Sequence, residues 1–434
     1  MTDRGSVIRR RWPLLLSNAG ISAMTALVAA IGVTALVVML RIATGAAADQ
    51  ARLQIEALKY GIGFFAAGGA VAALLLSFRR QLLAERAHEL AVKAQAHTET
   101  DATERRVTEL YTKAVEQLGS ADAAVRLGGL YALERVAQNN PDQRQTIVNV
   151  LCAYLRMPYA LPAAAQPASI GPVADLPLPH RAPPASRDPH QELQVRLTAQ
   201  RILASHLTPR SGITPKQAGA MTPAADQTFW PGIDLNLTGA HLVGWQMNNS
   251  HVGQVSFAGV TFTGDVEFAE TTFSGPARFD RAVFTSDAIF HESVFAGDMS
   301  FHTANFSGAL FGGATFAGAA LFDQATFSGD AVFSEATFAG GLGFSAATCV
   351  GGTVFRGATF AGGVTFNGTT FADEAWFPEA TFTGIVEFRK ATFSRQVDLS
   401  SARVQPPDGR RDVWPAGWVQ RAEELVRHTP TAAG

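Results

Sequence analysis

The chain has 434 residues and a formal charge of −2 at pH 7, which allows two or three domains and gives no global field to attract nucleic acid or acidic substrates. Its two cysteines, Cys152 and Cys349, are too few and too far apart for a disulfide framework or a zinc ligand set, and both read as buried thiols. Phenylalanine is over-used, with 29 copies against 5 tyrosines and 6 tryptophans, which marks a repeated core position.

Residues 1–12 are a basic N-terminus. Two apolar stretches follow, Leu14 to Leu40 and Tyr60 to Phe78, each meeting the roughly 20 residues needed to span a bilayer. The expectation is a transmembrane hairpin over 13–78. The first stretch is too long for a signal-peptide core, and no cleavage site precedes the second. Arg4, Arg9, Arg10 and Arg11 precede the hairpin, and Arg79, Arg80, Arg86 and Lys93 follow it, with Arg41, Arg52 and Lys59 between. This bias places both chain ends in the cytoplasm. Small residues such as Gly61, Gly63, Gly68 and Gly69 would let the two helices approach closely.

Residues 79–156 read as a cytosolic helical region. A charged helix continues from Arg79 to His97, and a second carries Val107, Leu110, Tyr111, Ala114 and Leu118 on one stripe. Another is expected to start at Ser120 and end at Asn139-Asn140-Pro141. Asp142 would cap the next, which carries Ile147, Val148, Leu151 and Tyr154. Residues 157–189 hold nine prolines and read as a linker. Residues 190–230 are a short helix, His190 to His206, and a loop.

Self-similarity dominates residues 231–404. Apolar residues recur every fifth position from Leu237 through Leu242, Met247, Val252 and Phe257 to Phe262. The spacing then alternates six and five, from Phe268 and Phe273 onward to Phe393 and Leu399, one residue short at Phe311. Small residues such as Ala282, Ala304, Ala336 and Ala380 sit two positions earlier. A period of five fits neither a lone helix nor a lone strand. It fits short extended segments joined by turns, four to a coil, with coils stacked at about 4.8 Å. About eight coils would make a rod of roughly 40 Å. Units such as ATFAG, ATFSG, ANFSG and AHLVG resemble the pentapeptide-repeat superfamily. That resemblance implies a right-handed quadrilateral β-helix with the Phe or Leu and the preceding Ala inside. The sixth residue departs from the pattern and is expected to bulge alternate faces.

Two further segments carry a resemblance. Tyr111 to Pro141 and VWPAGW (Val413 to Trp418) are similar to parts of bacterial membrane proteins with two N-terminal spans and C-terminal pentapeptide repeats. The resemblance implies a bacterial cytoplasmic membrane but no activity. Within residues 405–434, Trp414 and Trp418 with a helix from Val419 to His428 are expected to cap the solenoid; Trp230 and Trp245 would cap its start.

No catalytic, cofactor-binding or metal-binding set is found, and no enzyme is expected. His291 and His302 fall on opposite faces of a coil, as do His241 and His251, and no HExxH, CxxC or P-loop is present. Stacking places Ile289, Leu310, Val332, Val354 and Trp376 in one outward apolar column below Glu267. Its opposite reads Arg278, Ser300, Leu321, Gly343, Thr365, Glu387, and threonine columns line the other two faces, as β-propensity favours. In this register the carboxylates look scattered. The apolar column implies a partner, either this chain's helices or another protein.

The function so read is a membrane-anchored, non-catalytic scaffold with the bilayer and an unidentified protein as partners. Nucleic acid is not expected, and self-association could run through the spans or the solenoid ends. The alternative is a DNA mimic acting on a topoisomerase or another DNA-binding protein.

Overall fold

The computed structural model describes residues 18–43, 50–162, 187–209, 228–405 and 411–427. They divide into two compact units at Arg106/Val107.

The first unit holds α1 (Asn18–Ala43) and most of α2 (Gln50–Leu118). Only Leu58–Gln95 is long and apolar enough, among the described residues, to cross a membrane, with mean hydropathy reaching 2.0. In α1 the apolar run is the shorter Thr25–Val38, and Leu14 to Ser17 lie outside the described residues. A Cβ on Gly61 would come within 2.9 Å of Leu36, and one on Gly68 within 2.9 Å of Val28. These two glycines therefore bring α1 and α2 together, whereas Gly63 and Gly69 face open space.

In the second unit α2 runs unbroken to Leu118, followed by α3 (Ala123–Asn139), a 3₁₀ turn (Pro141–Gln143), α4 (Arg144–Arg156) and α5 (Pro189–Leu207). Asp122 rather than Ser120 starts α3, its carboxylate accepting the Ala124 N–H at 2.8 Å. Asp142 does not cap α4; it sits inside the 3₁₀ turn that Pro141 imposes. Asp188 caps α5 with Pro189 at the first helical position, where the missing N–H costs nothing. Leu130, Leu133, Ile147, Leu151, Val195 and Leu203 are buried and share one core with the solenoid.

From Leu235 the chain winds through about eight coils with four faces. Face 1 is an eight-stranded parallel sheet from Leu235–Asn236 to Val386–Glu387. Face 4 runs from His251–Val252 to Arg403–Val404 and is extended by a hairpin, Trp418–Arg421 with Glu424–Arg427. Face 2, from His241–Val243 to Thr392–Phe393, and face 3, from Val266–Glu267 to Val397–Asp398, join into one sheet because Val283–Ile289 and Asn305–Leu310 run unbroken around their shared corner.

The sixth residue is expected from sequence to bulge alternate faces, and it does not. It is absorbed at two corners, between faces 2 and 3 and between faces 4 and 1, so every face stays in register. The single register shift lies between Phe306 and Gly308, where the short repeat at Phe311 falls. Glycines stack down the corner from face 4 to face 1. A Cβ on Gly362 would collide with the carbonyl oxygen of Gly340 one coil above, so only glycine lets these corners stack.

Inside, the phenylalanines form four columns of parallel rings. On face 3 the centroids of Phe290, Phe311, Phe333, Phe355 and Phe377 follow one another at 4.7 to 5.0 Å, set by the coil spacing. Neighbouring columns meet edge to face, as for Phe322 and Phe333 at 5.4 Å and 83°, the arrangement the ring quadrupole favours. Cys349 interrupts the face 2 column. Phe344 leans into the gap, stacking on Phe327 at 5.6 Å and tilting 49° from Phe366 below.

Candidate interaction surface

The ladder places Ile289 beside Leu310, Leu310 beside Val332, Val332 beside Val354 and Val354 beside Trp376. Each residue points outward because its neighbours, such as Ala331 and Phe333, point in. Their carbonyls are occupied: those of Leu310, Val332, Val354 and Trp376 accept the N–H of Phe290, Phe311, Phe333 and Phe355 at 2.6 to 2.7 Å. With these carbonyls occupied, the column offers its apolar side chains. Each shields the next, leaving four partly exposed and Trp376, at the foot, 45 % exposed. Small residues, Gly308, Gly312, Gly352 and Gly357 among them, flank the column, so the surface is flat. Glu267 stands above it and Asp398 below.

The carboxylates are not scattered. Asp265, Asp287, Asp330, Asp373 and Glu374 lie at the corner leading into face 3, and Glu270, Glu292, Glu335 and Glu379 at the corner leaving it. With Glu267 and Asp398 on the face itself, these are eleven of the fifteen carboxylates between residues 257 and 400. Only Arg356 and Arg395 share that side, and both are paired, to Glu379 at 3.6 Å and Asp373 at 3.0 Å. The rest of the surface carries Asp280, Asp298, Asp323 and Glu387 against Arg278, Arg281, Arg389 and Lys390, a balance of zero. The entire excess of −9 therefore sits around the apolar column. Most of these acids occupy corners, away from the position before each Phe.

The opposite column on face 1 mixes Arg278, Ser300, Leu321, Gly343, Thr365 and Glu387. Face 2 carries Thr326, Thr348, Thr370 and Thr392, and face 4 carries Thr315, Thr337, Thr359 and Thr381.

Helices α4 and α5 cover the start of the solenoid. Gln200 on α5 donates to the Val243 carbonyl at 2.9 Å and accepts its N–H at 3.4 Å. Gln145 on α4 does the same to Asp234, at 2.9 Å in each direction. Both amides close a ladder that would otherwise present an open edge. Trp230 is buried, stacked on His206 at 3.8 Å, and donates to Gln138 at 3.0 Å; Trp245 is buried edge-on to Phe257.

At the far end the helix expected over Val419 to His428 is a β-hairpin, with His428 outside the described residues. Its Glu424 pairs with Arg403, so it extends face 4, which a helix could not do. Trp414 lies edge-on to Phe382 at 5.4 Å, and Trp418 packs under the Arg427 guanidinium at 5.6 Å. Val413 continues face 1, accepting the Phe388 N–H at 2.9 Å.

A charged cluster that the sequence does not announce lies among the helices. Glu192, buried on α5, meets Arg126 at 3.1 Å, Arg196 at 3.0 Å and the Tyr154 hydroxyl at 2.9 Å. Arg196 also donates to the Leu155 carbonyl at 2.9 Å. Burial and the adjacent Glu192 push the Tyr154 phenol up to about 12. Both carboxylate oxygens are engaged, so the cluster locks α3, α4 and α5 together rather than offering a base. Among the described residues no group of three His, Cys, Asp or Glu side chains could hold a metal ion. His291 and His302 occupy opposite corners, and His241 and His251 opposite faces.

Residues 257–304, 301–348 and 350–392 match the family model for pentapeptide repeats (9 copies). The solenoid is therefore built of pentapeptide repeats. No curated protein matches the chain.

Proposed function

We propose that this protein is a membrane-anchored, non-catalytic scaffold that presents its solenoid to a protein partner in the cytoplasm. A repeat rod offers an extended, rigid surface. The observation that carries the reading is the continuous apolar column from Ile289 to Trp376, which the chain's own capping helices leave uncovered. Leu58–Gln95, long and apolar enough to cross a membrane, supports the anchor. The basic residues before Leu14 and after Phe78 support two spans with both ends in the cytoplasm of a bacterium.

The gathering of carboxylates favours a second reading, a mimic of DNA that occupies a DNA-binding protein. Duplex DNA carries one charge per about 1.7 Å, so a rod of about 40 Å would need more than twice the net −9 found. A phosphate-like array would also have no apolar centre. The scaffold reading accounts for both features of the face.

Alkaline extraction of membranes, with reporters fused to each terminus, tests the anchor. Retention in the membrane with both reporters cytoplasmic supports it; release into the soluble fraction removes it. Comparing cellular neighbours of the wild type and a face 3 variant tests the docking role.

A further inference from the structure

Resting on the scaffold reading, we infer that face 3 docks a basic amphipathic helix of a partner protein, laid along the solenoid axis. The apolar column spans five coils, from Ile289 to Trp376, about 19 Å at the usual strand spacing. A helix covers that length in about 13 residues at 1.5 Å each. Its turn of about 5.4 Å lies close to the coil repeat of about 4.8 Å, so one apolar residue per turn meets one rung per coil. A strand laid the same way repeats its side chains every 6.6 to 6.8 Å or so and falls out of step after two rungs.

The charges select the flanks of that helix. Carboxylates border the column on both sides, Asp287, Asp330 and Glu374 on one and Glu292, Glu335 and Glu379 on the other. An amphipathic helix with an apolar stripe between two rows of Lys or Arg matches all three bands at once. A second copy of face 3 does not match, because it would bring like-charged borders together. The flanking glycines leave room for long basic side chains to reach the corners.

The test uses the full chain in neutral detergent and a synthetic 14-residue Leu/Lys helix carrying a photo-crosslinker. A scrambled peptide of the same composition and a Leu/Glu helix serve as controls. Cross-links mapped by mass spectrometry should fall on face 3 between Ile289 and Trp376. The yield should drop at least tenfold for the scrambled peptide, for the Leu/Glu helix, and for a variant carrying Asp287→Asn, Glu292→Gln, Glu335→Gln and Glu374→Gln. These exposed positions lie outside the core, so the variant should melt with the wild type. Equal yield with the scrambled peptide, cross-links on all four faces, or no loss in the variant would each overturn the helix assignment. Cellular neighbours that still depend on the apolar column in that case would leave the scaffold reading standing.

Discussion

Gln200 holds Val243 as a neighbouring strand would, donating to its carbonyl at 2.9 Å and accepting its N–H at 3.4 Å. The side chain is buried, so truncation leaves two backbone groups without a partner and without water. Gln200→Ala should destabilise the second unit by about 1–3 kcal/mol, the cost of buried unmade hydrogen bonds. Gln145→Ala, at a more open site, should cost less. Denaturant unfolding of both variants checks the order, and equal, negligible losses would show that the helices cap by packing alone.

The phenylalanine columns predict a contrast between two positions. Phe333 has rings stacked on both sides, at 5.0 and 4.8 Å. Phe333→Ala should therefore cost about 3–5 kcal/mol. Cys349 already leaves a gap that Phe344 has filled, so Cys349→Ala should cost under about 1.5 kcal/mol by comparison with other small core changes. Thermal melts of the two variants decide the matter.

Glu192 is the only anion in contact with Arg126 and Arg196 among the described ion pairs. Glu192→Gln strands two buried guanidinium groups and should destabilise the helical cap by about 3–5 kcal/mol. Hydrogen exchange should then rise first in α3, α4 and α5. Unchanged protection there would show that the cluster is dispensable.

Stability should fall on both sides of neutrality, for different reasons. Burial pushes the thiols of Cys152 and Cys349 up to about 11 from an ordinary 9.0. Between those values the unfolded chain ionises while the folded chain keeps its protons, so stability is lost as pH rises. His241 and His251 are shifted the other way, lowered from 6.5 chiefly by burial. As pH falls below 6.5 the unfolded chain gains protons first, and stability is lost again. A series of melts from pH 5 to 11 should show the decline at both ends. Alkylation at pH 8 should leave both thiols untouched until the protein unfolds.

Much of the solenoid could be read from the sequence because one residue type at one spacing makes its core. The order Ile289, Leu310, Val332, Val354, Trp376 follows from counting residues per coil. The sequence was less informative where partners are distant. Gln145 and Gln200 look like ordinary helix-surface residues until the first coil is brought against them. Glu192 finds Arg126 across 66 positions, beyond any local pattern. Val419 to Arg427 carries helix-forming residues and reads as a helix, but the open edge at Arg403 decides its conformation and it forms a hairpin. The acidic borders of face 3 sit on corners, where side-chain direction depends on the turn and not on the period of the repeat.

Capture of a partner by face 3 is tested by proximity labelling in native cells. Wild type would be compared with a variant carrying Ile289→Ser, Leu310→Ser, Val332→Ser and Val354→Ser. Loss of one specific neighbour is expected while the variant stays folded and abundant. An unaltered set of neighbours, with the variant folded and abundant, would contradict it.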